Sequence, residues 1–275
     1  MRCKALGLDM DGTALNEQKS ITPRTQSAIT RALEAGVVIF FCSGRSFAEI
    51  QDYSMLFPAM RWMVLASGAL VWDTEAGAPV HRLPLEHAII RRMLDLTPTT
   101  DAELQVLYNG KSYMSRRFCQ NLERYQLAQY KDTFDRTATL VDDTRAWLYA
   151  LDDGVEKVNY YHSSPQGMRQ TLELFAREHV PIEMANAEAT SLECSAQGVS
   201  KAVGIAAISR LTGIPVGDIG MVGDSGNDIA ALQAVGLPIA VGNASAEVRA
   251  LCRVTVADNN HDGVAEAIER FCLPQ

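Results

Sequence analysis

Hydrophobic positions in this chain fall into short unbroken runs separated by stretches of helical period. Residues 4–8, 37–42, 62–66, 219–222, 239–241 and 254–256 are apolar almost throughout, the pattern of strands buried on both faces. Between them Thr22-Pro23 opens a predicted helix that runs to Ala35 and stops at Gly36. Helices are also predicted over 46–56, 200–211 and 264–271, and another carries Ala230, Ala231 and Leu232. Residues 69–72 and 79–83 predict a hairpin around Glu75-Ala76-Gly77. Strands alternating with helices predict an α/β protein with a parallel, Rossmann-like sheet.

The pattern changes between about 84 and 190. A helix over 86–96 is followed by strand-like runs at 103–108 and 111–114 joined by Asn109-Gly110, a hairpin signal. Further strands are predicted at 155–161, 182–184 and 191–194, with a helix from Ser164-Pro165 to about His179. The expected organisation is a catalytic core of residues 1–84 and 191–275, interrupted by an α+β insertion over 85–190.

The bulk numbers narrow the function. At 275 residues the chain can bury a large core, and 47% hydrophobic with 21% charged residues describes a folded globular protein. A formal charge of -8 offers no basic excess for a phosphate backbone, so no nucleic-acid partner is expected. No apolar run reaches the length of a membrane span, and Met1-Arg2-Cys3-Lys4 leads directly into the first strand, so neither a membrane partner nor a signal peptide is expected. The six cysteines, at 3, 42, 119, 194, 252 and 272, show neither paired nor zinc-type spacing. A cytoplasmic protein is the expectation, its oligomeric state open.

Candidate chemistry begins at the end of the first run, in Asp9-Met10-Asp11-Gly12-Thr13. Residues two apart on a strand point the same way, so Asp9 and Asp11 can face one ligand, while Gly12 allows a tight turn with free N–H groups. Two carboxylates this close ask for a cation or a shared proton, although an Asx turn with solvated acids gives the same pattern. Three other segments supply matching parts: Ser43-Gly44-Arg45, Lys201, and Asp224 with Asn227 and Asp228 in Gly223-Asp224-Ser225-Gly226-Asn227-Asp228. Three of the four follow predicted strands, where α/β sheets gather their ligands. Acids, a hydroxyl and a lysine together suit phosphoryl transfer.

Together with Ser67-Gly68-Ala69, Gly198-Val199-Ser200-Lys201, Gly242-Asn243-Ala244 and Asp262-Gly263-Val264, these motifs resemble the haloacid dehalogenase-like superfamily, specifically its Cof-type phosphatases with a large inserted cap. The resemblance implies a Mg²⁺-dependent phosphatase acting on a small phosphorylated metabolite, a sugar phosphate or a cofactor-like phosphate. Asp9 would attack phosphorus and Asp11 would serve as acid and base. Asp9, Asp11 (through its main-chain carbonyl), Asp224 and, by direct contact or from behind, Asp228 would hold the metal. Met10, Gly12, Ser43, Gly44, Lys201 and Asn227 would cradle phosphate, with Arg45, Ser67, Arg116, Arg117 and Lys157 as candidate substrate contacts. The chain departs from the family pattern at Ala14, where leucine is usual, and at Ser67, where asparagine is common. A phosphomutase or phosphotransferase, and a non-catalytic phosphometabolite-binding regulator, are the competing readings.

Overall fold

The computed structural model describes residues 3–186 and 188–274; Met1 and Arg2, read above as leading into the first strand, lie outside them. The first run forms β1 (Ala5–Leu8), buried at every position. Then come α1 (Pro23–Glu34), β2 (Val38–Cys42), α2 (Phe47–Ser54), β3 (Trp62–Leu65), β4 (Leu70–Asp73) and β5 (Ala78–Arg82). The Thr22 side chain accepts the Thr25 N–H at 3.2 Å, and Pro23 occupies the first turn, so α1 begins where its cap places it.

A second texture follows: α3 (His87–Leu96), β6 (Glu103–Tyr108), β7 (Lys111–Ser115), α4 (Arg116–Cys119), α5 (Lys131–Thr137), β8 (Ala138–Val141), α6 (Thr144–Ala150), β9 (Lys157–Tyr161), α7 (Pro165–Arg177), β10 (Ile182–Ala185) and β11 (Ser191–Ala196). The chain closes with α8 (Lys201–Thr212), β12 (Ile219–Gly223), α9 (Ile229–Ala234), β13 (Leu237–Ala240), α10 (Ala246–Leu251), β14 (Val254–Thr255) and α11 (Gly263–Phe271).

Two compact units result. The first takes its described residues from 1–45, 50–81 and 200–275, the second from 46–49 and 82–199. In the first, the strands form one sheet in the order β14-β13-β12-β1-β2-β3-β4-β5. From β14 to β3 every pairing is parallel, and β4 runs antiparallel to β3. The fold is α/β, with β1 central and its carboxyl end opening into the Asp9 loop. The sheet of the second unit has the order β10-β11-β9-β6-β7-β8 and is antiparallel except between β7 and β8. β11, which the sequence division assigns to the core, pairs with β9 in this second sheet. Leu104, Val106, Val158, Tyr160 and Leu192 share one face of it with α3, α6 and α7, while the alternate residues Gln105, Asn159 and Tyr161 join in hydrogen bonds on the other.

No helix among the described residues is long and apolar enough to cross a membrane. β8 and α6 went unread in the sequence. Ala138–Val141 is a half-exposed edge strand without alternation, and the seven residues of α6 are too few for a helical period to emerge.

Glycines bring α8 close to the sheet. A Cβ on Gly204 would lie 2.2 Å from Val64 Cγ1, and one on Gly68 would lie 2.0 Å from the Ser200 carbonyl oxygen. Gly68 also has φ +103°, in the region that disfavours side chains. Gly68→Ala is therefore expected to destabilise the protein by about 2–4 kcal/mol, combining backbone strain with overpacking. Urea unfolding of the variant measures this, and a loss under roughly 1 kcal/mol would show that the loop can yield at little cost.

Candidate active site

Parallel register gathers the candidate residues at one edge of the first sheet. Leu8 pairs with Phe41 on one side and Val222 on the other, so the loops after β1, β2 and β12 emerge side by side. Asp9 N–H still donates to Val222 O at 3.0 Å, which aligns Asp9 with the start of the Asp224 loop. Lys201 is the first residue of α8, packed against the turn that Gly68 keeps open.

The densest contact is an ion cluster. Lys201 Nζ lies 2.5 Å from Asp9 Oδ1 and 2.6 Å from Asp228 Oδ1, and reaches Asn227 Oδ1 at 3.3 Å. Lys201 and Asp228 are fully buried and Asp9 nearly so. The second oxygen of Asp228 accepts the N–H groups of Asp224 and Ser225 at 3.0 and 3.2 Å, so this side chain also shapes its own loop. Thr13 donates to Asp224 Oδ1 at 3.2 Å.

Burial, reinforced by Asp228 and Asp224, raises the Asp9 carboxyl well above its usual range in spite of Lys201. Burial and Asp228 raise Asp224 as well. Burial alone would lower the Lys201 ammonium, but Asp9 and Asp228 outweigh it and hold it above its ordinary value. Both partners of the Lys201–Asp9 pair move up, Asp9 through burial and its neighbouring acids and Lys201 through the two carboxylates it serves. Oxygens of Asp9, Asp224 and Asp228 lie within 4.8 Å of one another, close enough to hold one metal ion. Three carboxylates against one ammonium leave two negative charges uncompensated, a deficit that suits a divalent cation with oxygen ligands.

Asp11 sits apart from this cluster in its bonding. Arg45 forks onto it, Nε to Oδ2 at 2.8 Å and Nη2 to Oδ1 at 2.7 Å, and Lys19 Nζ adds a contact at 2.9 Å. Burial pushes its carboxyl up, but Arg45 and Lys19 outweigh burial and hold it below the usual range. The N–H groups of Met10 and Asp11 find no acceptor among the described residues, while Thr13 and Leu15 fold back onto Met10 O and a bridge between Asp11 and Leu15 turns Gly12 N–H toward Leu15 O. Such a run of free donors can receive an anion. Ser43 is buried, its Oγ accepting the Arg45 N–H at 3.3 Å across Gly44. Ser67 follows β3 with φ 59° and ψ 24°, a left-handed conformation that asparagine tolerates better than serine does.

Of the four cations expected to meet substrate, Arg45 belongs to the first unit and the other three to the second, where two of them have partners. Lys157 is fully buried with its Nζ 2.6 Å from Glu193 Oε2, and Arg117 is exposed and paired with Glu103. Arg116 is exposed. Two residues near the Asp9 loop, Lys19 and Asn243, were given no role by the sequence reading. Lys19 carries no motif, because its contact with Asp11 depends on how the intervening loop folds. Asn243 donates to Gly12 O at 2.7 Å and accepts the Asn259 N–H at 3.0 Å; its signal was the Gly242-Asn243-Ala244 turn after β13.

Removing Lys201 should expose the charge imbalance directly. Lys201→Met is expected to cost roughly 3–5 kcal/mol in stability at neutral pH, the penalty for leaving buried carboxylates unpaired. Adding Asp228→Asn should recover a substantial part. A double-mutant cycle in urea with no coupling between the two positions would rule out the shared ammonium as a stability element.

Comparison with known proteins returns a consistent group. The sequence profile of haloacid dehalogenase-like hydrolases matches residues 6–268. A 5-amino-6-(5-phospho-D-ribitylamino)uracil phosphatase of Bacillus subtilis, YcsE, is 25% identical over 98% of this chain and 96% of its own. The pyridoxal phosphate phosphatase YbhA of Escherichia coli is 23% identical over 98% of each chain. Among solved structures, a haloacid dehalogenase-like hydrolase from Bacteroides thetaiotaomicron shares the fold with a TM-score of 0.84 at 21% identity, covering 98% of this chain and 99% of its own.

Proposed function

The chain belongs to the haloacid dehalogenase-like hydrolases, and from that premise we propose that it is a Mg²⁺-dependent phosphatase of a small phosphorylated metabolite, working through an aspartyl-phosphate. The observation that carries this reading is the buried Asp9 carboxylate at the mouth of β1, held at 2.5 Å by Lys201 beside Asp224 and Asp228. A nucleophile that must attack an anion needs such a cationic neighbour.

In this reading the substrate phosphoryl group settles against the Met10–Gly12 loop and the free N–H groups of Met10 and Asp11, with Ser43, Gly44, Lys201 and Asn227 around its oxygens. Asp9 attacks phosphorus in line with the leaving oxygen, so the P–O bond to the metabolite breaks as the P–O bond to Asp9 forms. Asp11 gives a proton to the departing oxygen and then takes one from the water that hydrolyses the aspartyl-phosphate. Mg²⁺, held by Asp9, Asp224, the Asp11 carbonyl and Asp228, would supply charge neutralisation between carboxylate and phosphate. Arg45 and Lys19 orient Asp11 until it acts. Since every phosphoryl-handling residue lies in the first unit, selectivity for the rest of the metabolite falls to the second unit, acting as a cap, with Arg45 and Ser67 contributing from the first. The action is placed in the cytoplasm. The names of the two phosphatase relatives put 5-amino-6-(5-phospho-D-ribitylamino)uracil and pyridoxal phosphate first in a substrate panel, followed by sugar phosphates.

Phosphate release across that panel is the direct test. Asp9→Asn should abolish it while leaving the fold intact, because an amide lacks the anionic oxygen. A residual rate above roughly a hundredth of wild type would exclude Asp9 as nucleophile, since acid–base groups alone contribute about 10²-fold to 10⁴-fold.

Chelation should remove activity in the wild-type protein, with Mg²⁺ restoring it and Ca²⁺ failing to, because calcium takes a larger and looser oxygen shell. Asp224→Ala should raise the Mg²⁺ concentration needed for half-maximal rate. Undiminished phosphate release in excess chelator would end the case for a metal.

A further inference from the structure

Cys3 and Cys272 stand near opposite ends of the sequence and meet in the fold. Cys3 lies just before β1 and Cys272 just after α11, and both are buried, 3% and 2% exposed. Cys3 N–H donates to Phe271 O at 2.9 Å, so the backbone of Cys3 is bonded to the residue next to Cys272. The Cys272 side chain is near enough to act on the Cys3 thiol. Disulfides form across Cα separations of roughly 4.4–6.8 Å, a spacing compatible with a backbone hydrogen bond to the adjoining carbonyl. The neighbouring Cys272 side chain draws the Cys3 thiol below its ordinary value against the opposing effect of burial. Burial instead pushes the thiols of Cys42, Cys119, Cys194 and Cys252 up.

We propose that Cys3 and Cys272 form a reversible redox pair, a disulfide that fastens the end of α11 to the root of β1. The oxidant is a small-molecule disulfide of the glutathione class. The Cys3 thiolate attacks one of its sulfurs and expels a thiolate, leaving a mixed disulfide on Cys3. Cys272 then loses its proton to solvent and attacks Cys3 Sγ, expelling the second thiolate. Two protein thiols are oxidised while one small disulfide is reduced to two thiols. Access comes through local opening of the last turn of α11.

The consequence is mechanical. Lys4 N–H donates to Asp218 O and Lys4 O accepts the Val38 N–H, both at 3.0 Å, so Cys3 sits at the amino end of the central strand. Asp9 lies at the other end of that strand. A bond between Cys3 and Cys272 closes nearly the whole chain into one loop and removes the corresponding freedom from the unfolded state. Oxidation thus stabilises the sheet from the end opposite the candidate active site.

The test treats the full-length protein with glutathione disulfide, alkylates the remaining thiols and maps the peptides. A linked peptide joining Cys3 to Cys272 is expected as the main product. Oxidation should raise Tm by roughly 5 °C, reversed by dithiothreitol. In Cys272→Ser, glutathione should remain on Cys3 and the rise in Tm should vanish. The proposal is overturned if Cys3 and Cys272 both stay open to alkylation while other cysteines react, or if the linked peptide forms without a change in Tm. Both readouts come from the wild-type chain, so they hold even where a serine variant folds poorly.

Discussion

The first unit depends on a buried ammonium shared by two carboxylates. Taking Lys201, Asp9 and Asp228 out of water costs several kcal/mol per ion, recovered only where geometry is tight and the remaining oxygens are bonded. That requirement explains much of the local architecture. Asp228 uses its second oxygen on two backbone N–H groups, fixing the loop after β12. A Cβ on Gly223 would stand 2.5 Å from Asp228 Oδ2, and one on Gly12 2.6 Å from Asp224 Oδ2, so these positions admit no side chain without displacing an acid. Gly68 extends the same constraint to the start of α8. The loops are glycine-rich because charged groups must close on one another, and the parallel sheet supplies the edge on which they do so.

This logic determines what was legible in the sequence. The strand cores announced themselves, since a central parallel strand must be apolar at every position, as β1 is. Three of the four site motifs were legible because they follow such strands, while Lys201 opens a helix, and its convergence with Asp9, 192 positions away, follows from the order of elements. Contacts set by loop conformation were not legible: nothing around Lys19 signals that its ammonium turns back to Asp11. Lys157 shows a further limit. A lysine in a strand reads as a solvated charge, yet this one is fully buried against Glu193 on the neighbouring strand, a pairing fixed by the register of β9 with β11. Cys3 and Cys272 were separated by nearly the whole chain, beyond the reach of any spacing rule.

The deepest division is between Asp9 and Asp11, two residues apart and in opposite environments. Asp9 is enclosed with other acids and its carboxyl is raised; Asp11 is gripped by Arg45 and Lys19 and its carboxyl is lowered. Neighbouring carboxylates whose environments drive them apart are suited to different tasks. The raised Asp9 reflects its burial first and the neighbouring acids second, and a divalent cation among the three acids would favour its ionised form. The lowered Asp11 is a carboxylate anchored by a two-bond fork, and a carboxylate held this way does not donate a proton. For Asp11 to act as an acid, Arg45 must loosen its hold, and an incoming phosphate is the natural competitor for a guanidinium. In the proposed mechanism, arrival of substrate and release of the acid would then be one event. That coupling would keep Asp11 anchored while the site is empty and free it when there is a leaving oxygen to protonate.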